Sequence, residues 1–404
     1  MKEKIIIIGS GHSGVQLAAT LRAKKWEGPI TLIGDEKNLP YQRPPLSKRV
    51  LKNISFTEPS PLRTEQYYQD NKINLLLNHR VTSLDPENHT IEYNQQTMRY
   101  DSLILATGSK PITPAIKGLS NVKSFQLRTA DDAKHLHKSI DPSKHILILG
   151  GGFIGLEVAA SLRQRGIEVS LIEKDSHILN RVASPVVADF LKKLHLDRGV
   201  KIHCNTTINF ISKMTNQIHL YSTTGQTFKG HELILGTGSN PNIELAEKAG
   251  LKIDNGIKVD EHNQTSYKDI YAVGDCCNQF NKRYGIDLRL ESIQNALDQA
   301  KNLAAHLCGE SSHHQAVPLF WSDQYETKLQ IAGIKKQADT QIIRSDSPNA
   351  SGFSVWYFKQ DKLEAMDAIN SPQEFNIAKK LIQSEADLPP SSVADTAVDL
   401  KLFL

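Results

Sequence analysis

The sequence predicts an α/β chain: two copies of a parallel-sheet unit followed by a small α+β domain. Three observations predict it. A strand, a glycine-rich turn, a helix and a second strand succeed one another twice, over 4–35 and over 145–174. The strands of both copies are unbroken apolar runs, Ile5-Ile6-Ile7-Ile8 in one and Ile146-Leu147-Ile148-Leu149 in the other. Such runs mark strands buried on both faces, and hence a parallel sheet covered by helices. After Pro318 the pattern changes to short strands and one helix.

Composition narrows the class. Of 404 residues, 39% are hydrophobic and 23% charged, which excludes a disordered or collagen-like chain. Four cysteines exclude a disulfide scaffold. The net charge of +4 is interspersed, unlike the concentrated basic patch of a nucleic-acid binder. No apolar run approaches the ~18 residues of a membrane span, and Ile5–Ile8 is too short for a signal-peptide core. A cytoplasmic protein is expected, with neither nucleic acid nor membrane as partner.

In each copy the turn reads Gly-x-Gly-x-x-Gly: Gly9, Gly11 and Gly14, then Gly150, Gly152 and Gly155. The first glycine permits the tight turn, the second lets backbone approach a pyrophosphate, and the third lets helix and strand pack closely. The free N–H groups and positive dipole of the helix N-terminus then favour the phosphates. Both matches lie in the strand–turn–helix context that this Rossmann motif requires. Two dinucleotide sites in one chain suggest a flavin and a nicotinamide cofactor. Glu173 ends the second strand of the later copy, where a carboxylate can accept both ribose hydroxyl hydrogens and repel a 2′-phosphate. This favours NADH over NADPH, although Lys174 follows it directly. In the earlier copy the aligned residue is Gly34, and Asp35 is the ribose candidate.

Further landmarks divide the chain. Leu103–Gly108 and Leu233–Gly238 are strand-then-glycine segments, each followed by Ser-x-Pro (Ser109, Pro111; Ser239, Pro241), and they read as crossings between two nucleotide domains. Ile270–Asp275 is a buried strand ending in Gly274-Asp275, and 292–307 carries a helical pattern. Beyond Pro318, residues 329–334, 341–344 and 353–358 read as strands and 372–384 as a helix. The expected domains are 1–109 with 242–318 (FAD-binding), 110–241 (NAD-binding) and 319–404 (C-terminal).

The whole chain resembles the FAD-dependent NAD(P)H:ferredoxin reductases that serve oxygenases, the group of putidaredoxin, rubredoxin and biphenyl-dioxygenase ferredoxin reductases. The resemblance rests on Gly34-Asp35-Glu36, Tyr41-Gln42-Arg43-Pro44-Pro45-Leu46-Ser47-Lys48, Leu127-Arg128-Thr129 and Ala272-Val273-Gly274-Asp275. It rests further on Glu291-Ser292-Ile293-Gln294-Asn295-Ala296 and Phe320-Trp321-Ser322-Asp323-Gln324-Tyr325. It implies two Rossmann-like domains in a glutathione-reductase-like arrangement. By resemblance, FAD would be held by Gly9, Gly11, His12, Ser13, Gly14, Asp35, Arg43, Lys48, Val81, Ala106, Thr107, Gly108 and Arg128. Gly274, Asp275, Glu291, Ser292, Ile293 and Trp321 would complete that site. NAD would be held by Gly150, Gly152, Phe153, Ile154, Gly155, Glu157, Glu173, Gly236 and Gly238. Lys48 and Glu157 would lie at the reactive edge of the flavin, with Trp321 beside it. Asp275 can accept from a ribityl hydroxyl, Arg128 and Lys48 can offset negative charge, and the N–H groups at Ile293 can stabilise charge on reduced flavin.

The cysteines separate this reading from its neighbours. Cys204, Cys276, Cys277 and Cys308 show no redox-motif spacing, and Lys37 stands where coenzyme-A-disulfide reductases carry a cysteine. Cys276 and Cys277 read as packing residues near the flavin. Without a thiol relay, electrons would leave the flavin directly for a [2Fe–2S] ferredoxin or a rubredoxin, and through it reach a P450 or Rieske oxygenase. Arg49, Lys52, Lys328, Lys335 and Lys336 are candidate docking cations for an acidic partner. His135, His137, His313 and His314 read as surface histidines, not metal ligands. The alternatives are a monodehydroascorbate reductase or NADH oxidase of the same fold, or a signalling flavoprotein like apoptosis-inducing factor. The last usually has a long C-terminal insertion, for which 319–404 leaves little room.

Overall fold

A computed structural model describes residues 3–311, 316–335, 338–345 and 352–404. His313, His314 and Lys336 lie outside the described residues. The chain divides into two compact units. One comprises Met1–Gln42, Ser60–Lys110 and Asn240–Phe320; the other comprises Arg43–Pro59, Pro111–Ser239 and Trp321–Leu404. Arg43–Pro59, which the sequence places in the first domain, thus packs into the second unit, together with the C-terminal residues.

In the first unit the strand Ile5–Ile8 lies at the centre of a five-stranded parallel sheet. Its neighbours are Ile30–Ile33 and Ser102–Leu105, with Ile73–Leu76 and Ile270–Ala272 at the edges. The four isoleucines alternate between two cores. Ile5 and Ile7 pack with Leu17, Leu21 and Leu303 from the helices His12–Ala23 and Ile293–Leu307. Ile6 and Ile8 face Ile91, Leu251 and Ile257 on the other side. All four are buried, which is why the run contains no polar residue. The unit also carries a three-stranded antiparallel sheet, Val81–Asp85, Thr90–Tyr93 and Gln96–Arg99, and a second three-stranded sheet of Ile257–Val259, Cys277–Asn281 and Ile286–Leu288.

The second unit repeats the plan. Its parallel sheet has the order Lys201–His203, Glu168–Ile172, His145–Leu149, Glu232–Leu235 and Ser124–Phe125. It too carries a three-stranded antiparallel sheet, Ile208–Met214, Gln217–Ser222 and Thr227–Gly230. The C-terminal residues form a five-stranded sheet backed by the helix Pro372–Ser384. Three of its strands, Thr327–Gly333, Thr340–Arg344 and Phe353–Lys359, fall on expected segments.

Two strands of that sheet, Leu319–Gln324 and Lys362–Ile369, have no counterpart in the sequence reading. Both turn polar side chains inward, Ser322 and Gln324 in one and Asp367 in the other, so the apolar alternation is broken. The hairpin into Lys362–Ile369 turns on Gln360 and Asp361, both at positive φ. This is a primed turn made without the usual Asn-Gly pair.

Arg344 ties the last residues to this sheet. Its guanidinium donates to the carbonyls of Val393, Asp395, Thr396 and Val398 at 2.7–3.1 Å, and to the Glu374 carboxylate at 3.0 Å. The planar fork satisfies four carbonyls that an ammonium could not reach together. Arg344→Lys should lower stability by about 2–4 kcal/mol and expose the amides of 395–404 to hydrogen exchange. Unchanged exchange there would show that the fork does not hold the tail.

Candidate functional site

The two glycine turns share one geometry. A Cβ on Gly9 (φ +115°) would lie 2.1 Å from the Ala106 carbonyl oxygen, and one on Gly14 would lie 2.0 Å from the Gly9 carbonyl oxygen. In the second turn Gly150 (φ +104°) would meet the Gly236 carbonyl at 2.3 Å, and Gly155 the Gly150 carbonyl at 2.1 Å. Any other residue would drive a methyl group into backbone. The middle glycines differ: a Cβ added at Gly11 or Gly152 would meet nothing within 4 Å. Each turn therefore closes against protein at its ends and opens at its centre, above the first turn of a helix of 12 or 11 residues. That opening fits the pyrophosphate of a dinucleotide, with N–H groups and the helix dipole directed at it.

The strand ends show a reciprocal exchange. In the first copy Ser10 occupies the turn, and a Cβ on Gly34 would come within 2.1 Å of its hydroxyl oxygen. In the second copy Gly151 takes the place of Ser10 and Glu173 that of Gly34. There the Glu173 carboxylate accepts from the N–H of Gly151 at 2.6 Å and of Asp175 at 2.8 Å. In the first copy the Ser10 side chain leaves no room for one at Gly34. This displaces the acidic residue of the first copy to Asp35, which is exposed, while Glu173 is buried against its own turn.

Several of the remaining first-unit residues pack near this turn. A Cβ on Gly274 (φ +82°) would lie 2.8 Å from the Ser13 hydroxyl. Asp275 accepts from the Ser109 hydroxyl at 3.2 Å, and Thr107 and Asn242 exchange hydrogen bonds at 2.7 and 2.8 Å. Ser292 caps the helix Ile293–Leu307 by accepting from the Asn295 N–H at 3.2 Å. Glu291 is exposed and pairs with Arg289. Val81 opens its strand half-buried, His12 begins the first helix, and Gly108 takes φ +68°. Cys276 and Cys277 are wholly buried free thiols, and desolvation pushes both above the ordinary thiol range.

Four of the residues assigned to FAD by resemblance, Arg43, Lys48, Arg128 and Trp321, belong to the second unit. Arg43 donates to the Arg128 carbonyl at 2.7 Å. The centre of this unit is Glu157, 4% exposed, on the helix Phe153–Arg163. One carboxylate oxygen accepts from the Ser47 hydroxyl at 2.5 Å; the other accepts from the Ser322 hydroxyl at 2.7 Å and lies 3.0 Å from the Lys48 ammonium. One turn along the same helical face, Ser161 donates to the Ser47 carbonyl at 2.8 Å. Arg165 reaches the Leu51 carbonyl at 3.1 Å. The helix and the residues just past its end thus tie Arg43–Pro59 to the second unit. A buried carboxylate is costly unless it is paired and hydrogen-bonded, and here it has three donors.

Trp321 is 39% exposed, so it is not a core aromatic, while the next residue on its strand, Ser322, points inward to Glu157. Ile154 is also exposed, at 42%, beside the open Gly152. Near Gly238 (φ +98°) lies the Arg181 guanidinium, absent from the sequence reading. Ser47, Ser322 and Gln324 lie within the motifs given above, but nothing local in the sequence gives them a role, because their partners are remote in the chain. Among the candidate docking cations, Arg49, Lys52 and Lys328 are exposed. Lys335 is a correction: its ammonium donates to the Val182 carbonyl at 2.7 Å and lies 3.4 Å from buried Asp367, and burial lowers its pKa. It holds the fold together and is not a docking charge. His137 donates to the Asn53 carbonyl at 2.9 Å, and among the described residues no three His, Cys, Asp or Glu side chains form a metal-binding group. No helix among them is long and apolar enough to cross a membrane.

A family model of the pyridine nucleotide-disulphide oxidoreductases matches residues 3–300, and one of the reductase C-terminal domain matches 319–404. The chain is 39% identical to rhodocoxin reductase of Rhodococcus erythropolis over 99% of this chain and 94% of that protein. It is 36% identical to putidaredoxin reductase of Pseudomonas putida over 99% of this chain and 96% of that protein. The crystal structure of a covalent putidaredoxin reductase–putidaredoxin complex matches with a TM-score of 0.95 at 36% identity, over 99% of this chain and 98% of that one.

One buried titratable group in the second unit has a measurable consequence. His195 is 0% exposed, and desolvation lowers its pKa from 6.5 to about 4. As pH falls below 6.5, the unfolded chain takes up a proton that folded His195 refuses. Stability from this group is thus complete above 6.5 and is lost progressively toward pH 4, by on the order of 3 kcal/mol. Its ring faces Gln324 and Tyr325, with Arg198 over the Tyr325 ring at 5.2 Å. Denaturant unfolding of His195→Gln across pH 4–6.5 should show a shallower dependence than the parent; an identical slope would place its source elsewhere.

Proposed function

The chain belongs to the pyridine nucleotide-disulphide oxidoreductase family, and on that premise we propose that it is an FAD-dependent reductase. It takes a hydride from NADH and passes single electrons to a [2Fe–2S] ferredoxin or a rubredoxin that supplies an oxygenase, a P450 or a Rieske dioxygenase. The carrying observation is the paired glycine turns, each open only at its middle glycine, in a chain whose adjacent Cys276 and Cys277 are buried as protonated thiols. Rhodocoxin reductase and putidaredoxin reductase match nearly the full length, and a solved relative is held covalently to putidaredoxin. These support a redoxin as electron acceptor in preference to a disulfide.

FAD, when bound, supplies the conversion of a two-electron hydride into two single electrons. The protein's part is to bind, orient and balance charge. The first turn, with Asp35, Ser13 and Asp275, would hold the FAD pyrophosphate, ribose and ribityl hydroxyls. The N-terminus of the Ser292-capped helix, opening at Ile293, would offer N–H groups to the electron-rich pyrimidine end. The second turn, with Phe153, Ile154 and Gly238, would hold NADH, and Glu173 would accept from its ribose hydroxyls while repelling a 2′-phosphate. Lys48, held by Glu157, would place one positive charge where negative charge develops on reduction. The exposed face of Trp321 would stand at the flavin edge. Arg49, Lys52 and Lys328 supply positive charge suited to steering an acidic redoxin, an effect that weakens with salt. Four free cysteines suit a reducing compartment, and the cytoplasm is the proposed location.

Two outcomes test this reading. Anaerobic mixing with NADH should bleach the visible flavin band of the purified holoenzyme; a band that persists at saturating NADH refutes the reductase. Glu173→Ala should weaken NADH binding roughly tenfold, about 1.4 kcal/mol, with FAD content unchanged. Unaltered NADH affinity would remove the nicotinamide cofactor from the second turn.

A further inference from the structure

Beyond Glu157 the hydrogen bonds continue into the protein. Ser322 donates its only hydroxyl proton to the Glu157 carboxylate at 2.7 Å, so its oxygen must accept. It accepts from the Gln324 amide nitrogen at 3.1 Å. The amide oxygen of Gln324 then faces His195 Nε2 at 2.9 Å, and the Tyr325 hydroxyl lies 3.4 Å from His195 Nδ1. Glu157, Ser322, Gln324 and His195 are all buried, at 4%, 0%, 1% and 0% exposure.

The order of donors along this chain has one source. A carboxylate offers acceptors only, so Ser322 must point its proton at Glu157. Gln324 must then present nitrogen to Ser322 and oxygen to His195, and His195 must carry its proton on Nε2. Reversing any link would set two donors or two acceptors face to face in the interior, where an unmatched polar group is costly. The Gln324 amide does not pass protons readily, so the chain serves orientation and not conduction. It also joins three elements at one point: the helices Phe153–Arg163 and Pro185–Asp197, and the strand that carries Trp321 on its opposite face.

We propose that Ser322, Gln324 and His195 are positioning residues that hold the Glu157 carboxylate in a single orientation and, through it, place the Lys48 ammonium for flavin reduction. The proposal rests on the reductase reading above. Two measurements on the full-length holoenzyme test it. Imidazole ¹⁵N shifts, with His195→Gln identifying the signal, should show His195 as the Nε2–H tautomer, and a ring protonated at Nδ1 overturns the relay. In stopped flow, Ser322→Ala should lower the limiting rate of flavin reduction by NADH roughly tenfold, the effect of one lost charge-assisted hydrogen bond. Its dissociation constant for NADH should stay within about twofold of the parent. A parental limiting rate, or a loss appearing only as weaker NADH binding, overturns the proposal. If Ser322→Ala does not fold, the tautomer of the parent protein decides alone. Parent enzyme that NADH does not bleach defeats the reductase reading and leaves the tautomer assignment standing, so the two failures are distinct.

Discussion

The close passage of backbone over backbone at the two glycine turns is the constraint on which the rest depends. Each turn runs so near the carbonyl of a neighbouring strand segment, Ala106 in one unit and Gly236 in the other, that a single methyl group would collide with it. The helix then starts directly at the carboxyl end of the central strand, with its N–H groups open above Gly11 or Gly152. Fold and binding capacity come from the same close contact. The sheet buries its Ile5 and Ile7 face because the helix folds tightly back upon it.

Glu157 has a comparable role within the second unit. Its burial would be strongly unfavourable alone, yet Ser47, Lys48 and Ser322 arrive from two distant parts of the chain to satisfy it. The same helical face grips Ser47 through Ser161, and Arg165, just past the end of the helix, grips Leu51. The anchoring of Arg43–Pro59 and the placement of the Trp321 strand therefore share one carboxylate. Removing that charge would loosen a segment on each side of it, which is why its supporting residues matter as much as the ion pair.

The exchange of Ser10 and Gly34 for Gly151 and Glu173 shows how two copies of one motif diverge without changing backbone. The space beside the turn is filled from the turn by Ser10 in one copy and from the strand end by Glu173 in the other. Aligning the two copies exposes the mismatch at Gly34, but its cause is steric and becomes visible only when both positions are seen filling the same space.

Local information carried the architecture. Strand–turn–helix units lie within about thirty residues, so apolar runs and glycine spacing were enough to read the central strands of both parallel sheets, the helix Ile293–Leu307 and the residues of both turns, while the outer strands Ile73–Leu76, Ser124–Phe125 and Lys201–His203 carried too little apolar pattern to be read. The strands Leu319–Gln324 and Lys362–Ile369 escaped, since their inward residues include Ser322, Gln324 and Asp367, which look like surface until their partners are known. Those partners lie far away: Ser47 is 110 residues from Glu157, Gln324 is 129 from His195, and Ser322 is 165 from Glu157. Periodicity has no term for such distances. Which polar side chains meet in the interior, and in which donor order, was decided by tertiary packing alone, because an unpaired buried polar group is tolerated only where the fold itself delivers the complement.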